Sequence, residues 1–278
     1  MEVLVVGAGE MGRWVGSTLA REFDVAYADR DSDAARVAAT AHDGRAVPLD
    51  SDETFDAVCL AVPISAVAQA VDDHAPNAER AVFDVTGVME TPVRAMRAAA
   101  PDRERLSLHP LFAAANAPGN VAAVRDAEGP VTNRVCDALS ATGNRVFETT
   151  AAEHDEAMET VQSSAHAAVL AYALAADDVR DEFATPVSEA LDALVRTVTG
   201  GTPRVYREIQ ESFAGADRVA DAAAELADAD AEAFERLYRE ASVRDGGDDA
   251  RGGNAGDEDA RGDDARDEAA GDEESDQR

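Results

Sequence analysis

Five histidines supply the chain's proton acceptors for the neutral pH range, and their surroundings separate them. His42 and His74 stand in polar, acidic, loop-like stretches and read as solvated. His109 lies in Ser107-Leu108-His109-Pro110-Leu111-Phe112, at the end of an apolar strand pattern, with Pro110 fixing the chain beyond it. An imidazole there stands at a sheet edge, placed to take a proton from a substrate; a satisfied structural histidine is the competing reading. His154, Met158, Gln162 and His166 follow at intervals of four, drifting through only about 120° and so sharing one helix face. Thr150 is placed to cap that helix. The face reads as one wall of a substrate cleft, against the plainer reading of core packing. Its two histidines are too far apart along the helix for one ion, and no HExxH pattern accompanies them, so no metal is expected.

The chain has no lysine: all 25 basic residues are Arg. Schiff-base chemistry and lysine general bases are therefore excluded. What remains is proton transfer by histidine next to a bound group, and the N-terminus shows which group. Gly7-Ala8-Gly9-Glu10-Met11-Gly12 follows an apolar strand directly and opens a helix containing Trp14, Val15 and Leu19. In that setting Gly7 permits the tight turn, Gly9 lets the backbone approach a pyrophosphate, and Gly12 lets the helix close on the strand. The first helical amides, at Glu10 and Met11, then face the phosphates with the positive end of the helix dipole.

The second strand ends in Asp29, placed to accept hydrogen bonds from both ribose hydroxyls and to repel a 2′-phosphate, which favours NAD. Arg30 beside it could stack on adenine or accommodate the extra phosphate of NADP. Ala61-Val62-Pro63 ends a later strand at the carboxyl edge of the sheet and is expected to border the nicotinamide half.

Short β-branched runs alternating with helical stretches over 1–149 predict an α/β domain, a doubly wound parallel sheet of Rossmann type. The strands read as 2–6, 24–29, 57–62, 81–85, 106–108, 121–124 and 145–149. From Ala151 to about Val243 the β pattern gives way to Ala- and Leu-rich helical spacing. A helical domain over 150–243 with such small side chains has little core of its own, so it is expected to pack against a second copy as a homodimer. Residues 244–278 read as a disordered acidic tail: 245–278 hold 14 acidic residues and 4 Arg, with no Val, Ile, Leu, Met or aromatic residue.

The formal net charge is −32, an acidic, lysine-free surface suited to very high salt, and it makes nucleic acid an unexpected partner. Cys59 and Cys136 lack a CxxC spacing and are too few for a disulfide framework. No apolar run is long enough to span a membrane and no basic leader precedes the first strand, so a cytoplasmic protein acting on a small molecule is expected.

Taken together, the glycine motif, the Ala61-Val62-Pro63 ending, His109-Pro110-Leu111-Phe112 and the His154-Asp155…Gln162…His166 helix resemble the prephenate/arogenate dehydrogenases of tyrosine biosynthesis. The resemblance covers roughly residues 1–240. It implies a Rossmann domain followed by a helical dimerisation domain, and decarboxylation of the substrate as NAD accepts hydride. It makes His109 the hydrogen-bond partner of the ring hydroxyl, puts His166 near the substrate, and points to an arginine around Tyr206-Arg207-Glu208-Ile209, here Arg207, as the carboxylate anchor.

The family's D-x-G-S-V-K-like segment reads Asp84-Val85-Thr86-Gly87-Val88-Met89, so Thr86 is left as the nearby hydroxyl. Ala113 replaces the glycine usual after the histidine motif. A β-hydroxyacid dehydrogenase is the rival enzyme, though that class relies on a lysine absent here. An NAD-sensing homologue without catalysis is the rival outside enzymes.

Overall fold

In the computed structural model, residues 1–243 are described; the expected acidic tail lies outside them. Eight strands form one sheet: β1 (Glu2–Val6), β2 (Asp24–Ala28), β3 (Arg45–Ala46), β4 (Phe55–Leu60), β5 (Ala78–Asp84), β6 (Glu104–Pro110), β7 (Asn120–Ala127) and β8 (Arg145–Glu148). Their order is β3-β2-β1-β4-β5-β6-β7-β8. Val3 to Val6 are all buried because the central parallel strands are covered on both faces, which is why they read as apolar runs. Helices α1 (Glu10–Leu19), α2 (Ser32–Ala41), α3 (Val67–His74), α4 (Glu90–Ala99) and α5 (Pro130–Ala141) supply that cover. Asp31 caps α2 by accepting from the amides of Asp33 and Ala34. The strand order reverses between β1 and β4, and the crevice at their carboxyl ends is where such sheets bind ligands.

The sheet departs from the expected all-parallel arrangement at β7, which runs antiparallel to β6 and pairs His109 with Ala122. The two strands are joined by a short loop that carries no α-helix, and a parallel return needs a longer crossover. The two-residue β3, paired only with β2, has no apolar run to announce it. Cys59 and Cys136 are free and buried.

The helical half continues with α6 (Ala151–Met158), a π-helical turn over Glu159–Ser164, α7 (Ala165–Ala175), α8 (Pro186–Thr199), α9 (Pro203–Ser212), α10 (Gly215–Asp228) and α11 (Ala231–Val243). Thr150 caps α6 as expected, its hydroxyl accepting from the Glu153 amide at 3.1 Å. Residues Met1–Ala224 form one compact unit, and Glu225 begins a second. Within the first, Val88, Met158, Ile209 and Phe213 make an apolar cluster with Ile64 and Leu111, which ties α6 and α9 to the loops at the carboxyl edge of the sheet. No described helix is long and apolar enough to cross a membrane.

Candidate active site

The glycine loop is tight for a physical reason at each end. Gly7 adopts φ +103°, a region L side chains rarely enter, while its amide donates to the Ala28 carbonyl at 2.8 Å. A Cβ at Gly7 would strike the Ala61 carbonyl, and one at Gly12 would strike the Gly7 carbonyl. Gly9 is the opposite case, with nothing near a Cβ position, so the loop is open where a ligand must approach. Gly9 also begins α1 without a side-chain cap, which leaves the first-turn amides, Glu10 and Met11 among them, for an anion. This cradle fits a dinucleotide. Asp29, the residue after β2, is tied to the loop: its Oδ2 accepts from the Ala8 amide at 2.6 Å and its Oδ1 from the Asp31 amide at 2.8 Å. The carboxylate therefore braces the glycine loop, with exposed Arg30 beside it. Ala61, Val62 and Pro63 border the same crevice half-buried, and Ser65 just beyond donates to Glu208 of α9 at 2.9 Å.

His109 is buried, and its Nδ1 lies 2.8 Å from His154 Nε2. His154 Nδ1 in turn lies 2.7 Å from Asp155 Oδ1. The direction of the protons follows from the acid end, because a carboxylate can only accept. In the neutral rings His154 donates from Nδ1 to Asp155, His109 donates from Nδ1 to His154, and His109 Nε2 is left as an acceptor. Burial pushes the His109 imidazole down to about 3, His154 pushes the same way, and the Asp155 charge opposes them. Burial works against the charge of Asp155, but His154 and the Glu90 and Met89 amides hold its carboxyl below the usual range. Those two amides, at 3.0 and 2.9 Å, are the N-terminal end of α4, so Asp155 fastens α6 to α4 while orienting the histidines.

Two groups face the accepting nitrogen. Gln162 Nε2 donates toward His109 Nε2 at 3.4 Å, and a Cβ on Gly87 would lie 3.7 Å from the same atom. The same Cβ would meet Ile64 at 3.3 Å. Thr86 is buried and turned away from the opening, its hydroxyl 2.6 Å from Asp84 Oδ1 and 3.0 Å from the Val88 carbonyl. His166 stacks edge-on against Tyr206 at 4.8 Å between ring centres, and burial lowers its pKa. Gln162 Oε1 and His166 Nδ1 are buried polar atoms with no partner among the described residues. Orphaned groups of this kind are costly unless something arrives to pair with them, and both belong to the predicted cleft wall.

Of the residues singled out from the sequence, the structure sets Gln162 directly against His109 and His166 against Tyr206. Arg207 is elsewhere: it is exposed on α9 and bound to Glu211 at 2.6 Å, outside the histidine cluster. Sequence reasoning missed three contributions: the His154–Asp155 chain, the Tyr206 ring, and the buried Glu208 that meets Ser65. The adjacency of His154 and Asp155 was the available signal for the first.

A family model described as prephenate dehydrogenase, nucleotide-binding domain, matches residues 19–127. A 4-amino-4-deoxyprephenate dehydrogenase of Streptomyces pristinaespiralis is 33% identical over 233 residues, covering 77% of this chain and 78% of that protein. Among solved structures, prephenate dehydrogenase from A. aeolicus, in complex with hydroxyphenyl propionate and NAD+, aligns with TM-score 0.66 at 17% identity over 88% of this chain and 97% of that one. Synechocystis arogenate dehydrogenase aligns with TM-score 0.58 at 17% identity, over 88% and 99%. At these identities the two structures speak for the fold.

Proposed function

Because the chain belongs to the prephenate dehydrogenase family, we propose that it oxidatively decarboxylates prephenate or arogenate in tyrosine biosynthesis, with NAD as hydride acceptor. The observation that carries this reading is the accepting Nε2 of His109, oriented through His154 by Asp155 and met by Gln162 at 3.4 Å. NAD bound on the glycine loop would take the hydride from the carbinol carbon. His109 Nε2 accepts the hydrogen bond of the ring hydroxyl and holds its proton as that carbon is oxidised. Loss of CO2 then makes the ring aromatic, and the proton returns to the phenolate oxygen. No net proton is released, so a weakly basic imidazole suffices, and Asp155 steadies the charge while it lasts. The buried setting keeps water from the reacting carbon.

Gln162 Oε1 can only accept, so it would take a hydrogen bond from a substrate hydroxyl or ammonium group, while His166 Nδ1 would pair with a substrate polar group on its side. Thr86 shapes the turn behind them, and Arg207 would anchor a carboxylate only after releasing Glu211. Asp29 is the basis for choosing NAD over NADP, with Arg30 as the feature that would admit NADP. Residues 150–243 would form the substrate and dimerisation region. In support of a homodimer, α7 is strongly apolar yet has no buried residue, and Leu174 is 89% exposed. A cytoplasmic setting of high salt fits the surface charge.

The family match favours a second substrate, 4-amino-4-deoxyprephenate, whose amine could occupy the place of the hydroxyl. Supplying each of the three acids to the purified protein with NAD, and then with NADP, tests substrate and cofactor together. Reduction of NAD by prephenate or arogenate is expected; reduction by the amino compound alone would replace this reading with the second.

A further inference from the structure

We infer that Asp84 is a positioning residue of the catalytic centre, holding the Thr86–Val88 turn beside His109 and tuning the histidine chain by its charge. The inference rests on His109 as the proton acceptor and adds a group that this reading does not use. Asp84 ends β5 and is wholly inaccessible to solvent. Its Oδ1 accepts from the Thr86 amide at 3.1 Å and lies 2.6 Å from the Thr86 hydroxyl. That hydroxyl also lies 3.0 Å from the Val88 carbonyl, but it has one proton to give. An ionised Asp84 draws the proton to itself. A protonated Asp84 donates to the hydroxyl instead, which then closes the turn onto Val88. The proton on Asp84 thus selects between two bonding patterns in the turn that sets Gly87 against His109 Nε2.

The other carboxyl oxygen, Oδ2, and Ser107 Oγ are both buried, and the two residues are paired directly across β5 and β6, where the Ser107 hydroxyl favours the charged form of the carboxyl. The groups facing Asp84 are Thr86 from the turn, Ser107 from β6, Cys59 from β4 and Asp155 from α6. Burial dominates and pushes the Asp84 carboxyl up to about 7; the two hydroxyls favour its charged form and Asp155 opposes it. The carboxyl therefore changes charge within the working range, where His109 does not. The charge of Asp84 reaches the histidine chain through Asp155, whose own charge opposes its ionisation, and an ionised Asp84 also draws the Thr86 proton away from the Val88 carbonyl.

The test is a pH profile read beside a direct titration. Turnover of prephenate by the native enzyme should rise through about pH 7, by about tenfold, the equivalent of one pKa unit in base strength. Asp84→Asn should remove that inflection with little change in the KM for NAD. Ser107→Ala takes away a hydroxyl that favours the charged form, so it should move the inflection upward. Carbon NMR of the aspartate-labelled native protein should show one carboxyl titrating near neutral pH. The Ser107→Ala and NMR arms stand even if Asp84→Asn does not fold. An inflection retained in Asp84→Asn, or no aspartate titrating near neutrality, overturns the inference. A titrating carboxyl in a protein that turns over none of the three acids overturns the proposed function instead.

Discussion

His109 keeps an accepting nitrogen because two residues of the helical half fix its other nitrogen, and that order has consequences for kinetics. His109→Asn preserves reach and hydrogen bonding but cannot hold a proton, and such a loss typically costs about 10²–10⁴-fold. The kcat should fall by that order while the affinity for NAD is nearly unchanged; unchanged kcat would move the acceptor to another residue, His166 first. The ordinary imidazole value of about 6.5 would suggest a rate limb at that pH, but burial takes His109 to about 3, so no limb near neutrality belongs to it. Asp29 is the second residue whose role is larger than its position in sequence suggests. Because it also accepts the Ala8 amide, Asp29→Ser should loosen the glycine loop as well as admit a 2′-phosphate. The KM for NAD should rise and the relative use of NADP improve without a full switch; native preference for NADP would assign the choice to Arg30. His109 was legible because a strand pattern and a proline delimit it locally. The contact to His154 spans 45 residues and depends on how α6 docks, which no local pattern encodes.

At the scale of elements, the glycine motif, the central strands and the start of α6 could be read because each is specified by neighbours in sequence. The antiparallel β7 could not, since its apolar run looks the same in either direction. The helix carrying Gln162 is the instructive case. Four-residue spacing in an α-helix advances by about 40° at each step, so Gln162 should drift away from His154. The π-helical turn has wider bonding and offsets that drift, which lets His154 and Gln162 both meet His109 across eight residues. Packing holds the turn: Ser163 donates to Gln210 at 3.1 Å, and a Cβ on Gly215 would strike the Ser164 amide and the Glu159 carbonyl. Gly215→Ala should therefore cost about 1–3 kcal/mol of stability and raise the substrate KM more than it lowers kcat. Thermal unfolding and steady-state kinetics check both, and an unaffected KM would separate the π turn from the site.

The whole molecule carries a formal charge of −32, and much of its behaviour in solution should follow from self-repulsion. Unfolding temperature should climb as salt is raised toward molar concentrations, where charges are screened over about 3 Å; a salt-independent transition would contradict this. Removing residues 245–278 takes the charge only to −22, so the shortened protein should still require salt, keep its kcat and keep the oligomeric state of the full chain in sedimentation. A change of oligomeric state on truncation would give the tail a structural part. In the proposed reaction one hydride and one CO2 leave the same substrate in a site built around His109. The most direct measurement follows both products at once, trapping CO2 from carboxyl-labelled prephenate or arogenate while NADH accumulates. Equal amounts of the two are expected at every time point, with both rates falling together in His109→Asn. NADH formed without CO2, or CO2 released without NADH, would contradict the proposed reaction.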